Sequence, residues 1–117
     1  MITDIGLNQT ANNMVGQQTY PTHIAIGTGS ETLNSGLTAL TAETDRNLIG
    51  EYSAIGNEAN YIADFSALEI SGTVLTEFGL FNSTSGATMF QIEAISGVTF
   101  DGSRELQIQI ANRYTQP

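Results

Sequence analysis

From residue 48 onward, apolar side chains recur at every second position in short runs, and each run is closed by Gly or Asn. Over residues 61–68, Tyr61, Ala63, Phe65 and Ala67 fall on one side and Ile62, Asp64, Ser66 and Leu68 on the other. A period of two is the period of a strand, whose successive side chains point to opposite faces. Residues 104–112 repeat the pattern, with Leu106, Ile108 and Ile110 facing inward and Glu105, Gln107 and Gln109 outward. Residues 22–26, 48–55, 74–82 and 88–95 read as further strands. Gly27-Thr28-Gly29-Ser30, Gly56-Asn57, Ser71-Gly72, Ser83-Thr84-Ser85-Gly86 and Asp101-Gly102 supply the turns. The stretch from 74 to 95 therefore reads as a β-hairpin. Six or seven short strands at regular spacing predict an all-β fold, an antiparallel β-sandwich or open barrel.

Two segments carry the helical period instead. Leu7, Ala11, Met14 and Val15 lie at i, i+4, i+7 and i+8, which predicts a helix over 3–16 capped by Thr3 or Asp4 and ended at Gly16. Asn12 and Asn13 oppose it, because Asn prefers turns and caps. The competing reading of 1–16 is an extended N-terminal arm, with Ile2, Ile5 and Leu7 docking on a neighbour. Leu37, Leu40, Thr44 and Leu48 predict a second short helix over 36–48, started by Ser35 or Thr38. Glu43 and Arg46 would pair on its surface at a spacing of three. With neither a repeat nor a linker, residues 1–117 read as a single domain.

Charge limits the partners. Twelve Asp and Glu face three Arg and no Lys, for a net charge of −9. Arg46, Arg104 and Arg113 cannot form the basic stripe that a phosphate backbone requires, so nucleic acid is disfavoured. An anionic membrane is disfavoured for the same reason. No run of about 20 apolar residues suggests a membrane span, and the start of the chain does not read as a secretory signal. Such a charge keeps a high-copy protein apart from its copies, and a Lys-free acidic chain also suits high salt.

The residues do not assemble into catalytic patterns. Gly27-Thr28-Gly29 lacks the third Gly of a dinucleotide fingerprint and the Lys of a P-loop. His23, the sole histidine, has no G-x-S-x-G elbow to serve. Without Cys and with one His, a transition-metal site is disfavoured. Asp101 with nearby backbone carbonyls, or Glu43 with Asp45, could meet Ca²⁺. Paired acids for glycoside hydrolysis would need an aromatic-lined groove, and the chain has no Trp. Asn8-Gln9-Thr10 and Asn82-Ser83-Thr84 fit a glycosylation sequon by composition. The expectation is therefore a protein that is not an enzyme, with no cofactor and no metal.

Three segments stand in order: His23-Ile24-Ala25-Ile26-Gly27-Thr28-Gly29, then Leu40-x-x-Glu43-x-x-Arg46, then Thr76-Glu77-Phe78-Gly79-Leu80-Phe81-Asn82. Their order and spacing over residues 2–112 resemble small β-rich structural proteins of tailed viruses, such as tail-collar, tail-fibre and capsid decoration modules. The resemblance implies a virion structural protein, made in the host cytoplasm and carried on the particle surface. Its first form is a capsid-decorating (cement) protein, a homotrimer seated on the major capsid protein. The alternative is a tail, collar, fibre or baseplate component bound to tail proteins. A third reading is a glycan-binding β-sandwich, for which Tyr20, Tyr52, Tyr61 and Tyr114 are the only stacking platforms.

Interface candidates follow from the pattern. Phe78 and Leu80 share one face of their strand, and Phe81 points to the other. Gly79 between them marks a bulge or a close backbone approach. Two-sided apolarity fits either a subunit interface through Phe78 and Phe81 or a central strand covered on both faces. Ile2, Ile5 and Leu7 at the start, and Tyr114 in the polar end 114–117, complete the candidate set.

Overall fold

Alternating segments that bury one face need a second layer, and this chain supplies it by stacking two antiparallel sheets. A computed structural model describes residues 1–16, 20–30, 32–82 and 88–115. Among the described residues one helix, α1 (Asp4–Met14), precedes seven strands. They are β1 (His23–Gly27), β2 (Glu43–Leu48), β3 (Glu51–Ile55), β4 (Glu58–Phe65), β5 (Val74–Phe81), β6 (Met89–Thr99) and β7 (Leu106–Arg113). The first sheet has the order β2-β1-β5-β6 and the second β3-β4-β7. All neighbouring strands are antiparallel. The fold is thus the all-β sandwich that the period of two predicted. The turn expected at 83–86 lies outside the described residues.

The core lies between the sheets. Ile24 and Ile26 of β1, Leu80 of β5, Phe65 of β4, and Ile108 and Ile110 of β7 meet there with Ile49, Ile70 and Phe100. Full burial of such a side chain contributes about 1.5–3 kcal/mol. Residues 48–55, expected as one strand, serve both sheets. The Ile49 amide donates to Thr22 O (2.8 Å) in the first sheet, and the next amide, of Gly50, donates to Ile62 O (2.9 Å) in the second. The chain changes sheets there, and Ile49, 4% exposed, plugs the corner.

The second helix is not formed; residues 43–48 are β2. The i, i+3 pair of Glu43 and Arg46 exists nonetheless, and a bulge explains it. Residues three apart on a regular strand face opposite sides. Between Ile26/Gly27 the register shifts, pairing Asp45 with Ile26 and Glu43 with Gly27. The extra residue, Thr44, reverses the alternation and returns Glu43 to the side of Arg46. A helix over 36–48 would also need the amides of Thr41 and Ala42 for itself, and Glu77 takes both.

The other helix forms where expected, with Thr3 as N-cap accepting from Gly6 N at 3.0 Å. Gly16 follows at φ +98°, a left-handed conformation that glycine adopts at no steric cost. Residues 1–3 are not a free arm. Ile2 bridges Gln91, Thr3 N donates to Phe90 O (3.0 Å), and Ile92 N donates to Met1 O (2.8 Å). They extend the first sheet beyond β6 and cover its edge.

Candidate functional site

The three segments singled out in the sequence converge on the outer face of the first sheet. β1 lies beside β5 with Gly27 opposite Glu77, Ala25 opposite Gly79 and His23 opposite Phe81. β2 flanks β1 with Arg46 opposite Ala25. Residues 28–30 and 32–42 cross this face as loop segments. Leu40 packs with Ala25, Phe81, Met89 and Ile92, and Leu33 and Leu37 lie against them.

Glu77 fastens that loop. Its side chain is 1% exposed. One carboxylate oxygen accepts from Gly29 N (2.8 Å) and Ala42 N (2.9 Å), and the other from Thr41 N (3.1 Å). Both ends of the loop are therefore held by one side chain. A buried carboxylate costs several kcal/mol unless its lone pairs are met, and three donors meet them here. Gly27 is required beside it, because an added Cβ would lie 2.5 Å from the Glu77 carboxylate and 2.6 Å from Ala42 O.

Arg46 closes the other end of the face. Its side chain is 7% exposed. The guanidinium grips Glu43 through two bonds, of 3.0 and 2.7 Å, and stands 3.8 Å above the Phe81 ring. Stacking of this kind contributes about 0.5–2 kcal/mol. Together the segments form a clasp over the outer face of the first sheet.

His23 is part of this clasp. It is 8% exposed, and its Nδ1 lies 2.7 Å from the Thr22 hydroxyl. Burial first, and the Arg46 charge second, hold its imidazole below the usual histidine range. Two of the carboxylates weighed for Ca²⁺, Asp101 and Glu43, are engaged within the chain. Asp101 accepts from the Ser103 amide (3.0 Å) and hydroxyl (2.5 Å), and Glu43 holds Arg46. Asp45 is pushed up by burial and then by Glu69. Among the described residues no three His, Cys, Asp or Glu side chains gather as a metal site would need.

The interface candidates fall into two groups. Phe81 is 1% exposed, so the chain itself supplies its apolar surroundings; Phe78 is half-buried against the core. The structure therefore builds the central strand covered on both faces. Ile2, Ile5, Leu7 and Tyr114 remain open to solvent, Leu7 at 54% and Tyr114 at 55%. Residues 116 and 117 lie outside the described residues.

Helix α1 is turned in an informative way. It approaches β6 through Gly6, where an added Cβ would lie 2.5 Å from Phe90 O. Gly6 is its one buried residue. The apolar stripe that predicted the helix faces solvent, with Met14 83% and Val15 80% exposed. Sequence periodicity found this stripe but could not tell which side the sheet would take.

The four tyrosines, drawn from positions 20, 52, 61 and 114, gather at one end of the sandwich. A cleft of about 160 Å³ between α1 and the sheets is lined by Tyr20, Tyr61 and Tyr114, with Gln91 and Asn112. A groove of about 390 Å³ continues from it past Tyr20, Tyr61 and Tyr52. Tyr52 and Tyr61 sit opposite one another on β3 and β4, their rings edge to face at 6.0 Å. Burial, and then the neighbouring Tyr114 and Tyr52, push the Tyr61 phenol up. No signal in the sequence placed these residues together, because their proximity depends on how the sheets stack. No family model matches this chain, and no curated protein matches it either.

Proposed function

We propose that this protein is a structural component of a tailed-virus particle, a small decorating module on the outer shell that is anchored through α1. The observation that carries this reading is the outward apolar face of α1. Leu7, Met14 and Val15 lie on one side of the helix and remain more than half exposed. Covering what they still expose would contribute roughly 4 kcal/mol to a contact. That is about a thousandfold in affinity. A helix on a bundle or sandwich normally turns such a stripe inward. This one is pinned to β6 through a glycine, which leaves the stripe for a neighbour. The resemblance of the three ordered segments supports the same reading, and together they fasten a loop over the first sheet. The acidic surface suits many copies held side by side. The self-association expected is a homotrimer, with the major capsid protein as the partner beneath it.

The test is the copy number per particle, by quantitative mass spectrometry against the major capsid protein. The wild-type chain is compared with a Leu7→Ser, Met14→Ser variant. Hundreds of wild-type copies in fixed ratio to the shell subunit, and loss of the variant from particles, are expected. A few to a few tens of copies would move the protein to the tail, collar or fibres. Particles without the protein would refute a virion role.

A further inference from the structure

The geometry points to the tyrosine-lined end of the sandwich as a binding site for a neutral saccharide. All four tyrosines of the chain stand at this end, and three of them are half exposed or more: Tyr20 at 60%, Tyr114 at 55% and Tyr52 at 50%. Four residues so far apart in sequence meet here because Tyr52 and Tyr61 pair across β3 and β4 while Tyr20, before β1, and Tyr114, after β7, line the same cleft and groove. Exposed aromatic faces are not stabilising in water, whereas they suit a ligand with an apolar face and a polar rim.

The platform is held before any ligand arrives. The Tyr52 hydroxyl donates to Pro21 O (3.1 Å), and its ring meets Tyr61 edge to face. On the cleft side, the Asn112 amide donates to Gln91 Oε1 (2.8 Å), and Gln91 donates on to Glu93 (3.2 Å). That chain leaves the Asn112 carbonyl oxygen as an acceptor beside the rings. Amide side chains offer donors and acceptors together, which is what vicinal hydroxyls require.

Charge narrows the ligand further. Among the described residues, no Asp, Glu or Arg lines the cleft or the groove that continues it. A phosphate, sulfate or uronate would find no cation there and would meet a net charge of −9. A pyranose stacks its C–H face on a tyrosine ring and turns its hydroxyls to the amides. The combined space, of about 160 and 390 Å³, is of the size that holds small ligands. This proposal stands apart from the virion role, since a particle protein without the site and a lectin outside a particle are both coherent.

The test uses the absence of Trp. With four tyrosines and no tryptophan, the intrinsic emission of the folded chain arises wholly from this end. Neutral hexamers of glucose, galactose, mannose and N-acetylglucosamine are titrated to millimolar concentration, with emission and calorimetry read together. At least one is expected to change the emission saturably. Tyr20→Ala is expected to weaken it about tenfold or more, and Tyr20→Phe to retain it. Tyr20 is exposed enough for the alanine variant to fold, which far-ultraviolet circular dichroism checks, and Tyr52→Ala is the second variant. The proposal is overturned by silence from every hexamer, or by binding that survives both alanine variants. It is equally overturned by emission that changes with protein concentration and not with sugar, which would make a second copy the occupant.

Discussion

Replacing Glu77 by Gln isolates the clasp over the first sheet, because the side chain keeps its shape and loses its charge. In the native chain one oxygen serves Gly29 and Ala42 and the other serves Thr41. Glutamine has one acceptor oxygen. Placed toward Gly29 and Ala42, it turns its NH2 group against the Thr41 amide, so two donors face each other. The two surviving bonds fall from the charged class, about 1.5–3 kcal/mol each, to the neutral class of about 0.5–1.5. The total expected loss is about 3 kcal/mol. For a domain of this size that lowers the melting temperature by roughly 10 °C. Glu77→Ala strands all three amides and leaves a cavity, and is expected to cost about 5 kcal/mol. Urea unfolding measures both, with exposed Glu105→Gln as the control at under about 0.5 kcal/mol. Hydrogen exchange supplies the local readout, with the Gly29, Thr41 and Ala42 amides losing protection first. A Glu77→Gln protein within about 0.5 kcal/mol of the wild type would refute the reasoning, as would unchanged exchange at those amides.

Two further outcomes follow from close contacts and from titration. Gly6→Ala raises helix propensity by about 1 kcal/mol, yet its methyl would meet the Phe90 backbone at 2.5 Å. A net destabilisation of about 1–3 kcal/mol by thermal melting is expected, and a stabilised variant would mean that α1 does not approach β6 so closely. His23 is held below its ordinary value by burial and Arg46, so the unfolded chain takes up its proton first, near pH 6.5. Its contribution to stability is full above pH 6.5 and is lost as pH falls from there toward the folded value. Urea midpoints measured downward from neutral pH should show that slope, and His23→Gln should flatten it.

The strand pattern was legible wherever the two faces of a strand meet different surroundings. Residues 61–65 and 106–110 are of that kind, with Ala63, Phe65, Ile108 and Ile110 buried and Asp64, Gln107 and Gln109 exposed. The split of Phe78 and Leu80 from Phe81 was also readable, as was the tight approach at Gly79, whose added Cβ would meet Gln91 O at 3.1 Å. The stretch 36–48 was misread because its leucines are needed by a loop and not by a helix. Leu37 and Leu40 reach the outer cluster, and a spacing of three or four serves an irregular segment equally well. Phe90 was equally hidden. Between Leu80 and Phe81 the register shifts, so Leu80 opposes Gln91 and Phe81 opposes Met89. That bulge sends Phe90 to the inner core and Met89 to the outer cluster with Ile92.

The sequence by itself determined the class of fold, one capped helix and the alternation within β4 and β7. These depend on local spacing, and a two-residue or 3.6-residue period is written into neighbouring positions. It also determined a charge balance of three arginines against twelve carboxylates, for a net charge of −9. Only the tertiary structure decided that the chain changes sheet between Ile49 and Gly50, that Glu77 ties both ends of a loop, that α1 turns its leucine outward, and that four tyrosines share one end. Each depends on contacts between residues distant in sequence, and those are chosen by how two twisted sheets stack, which no local period encodes.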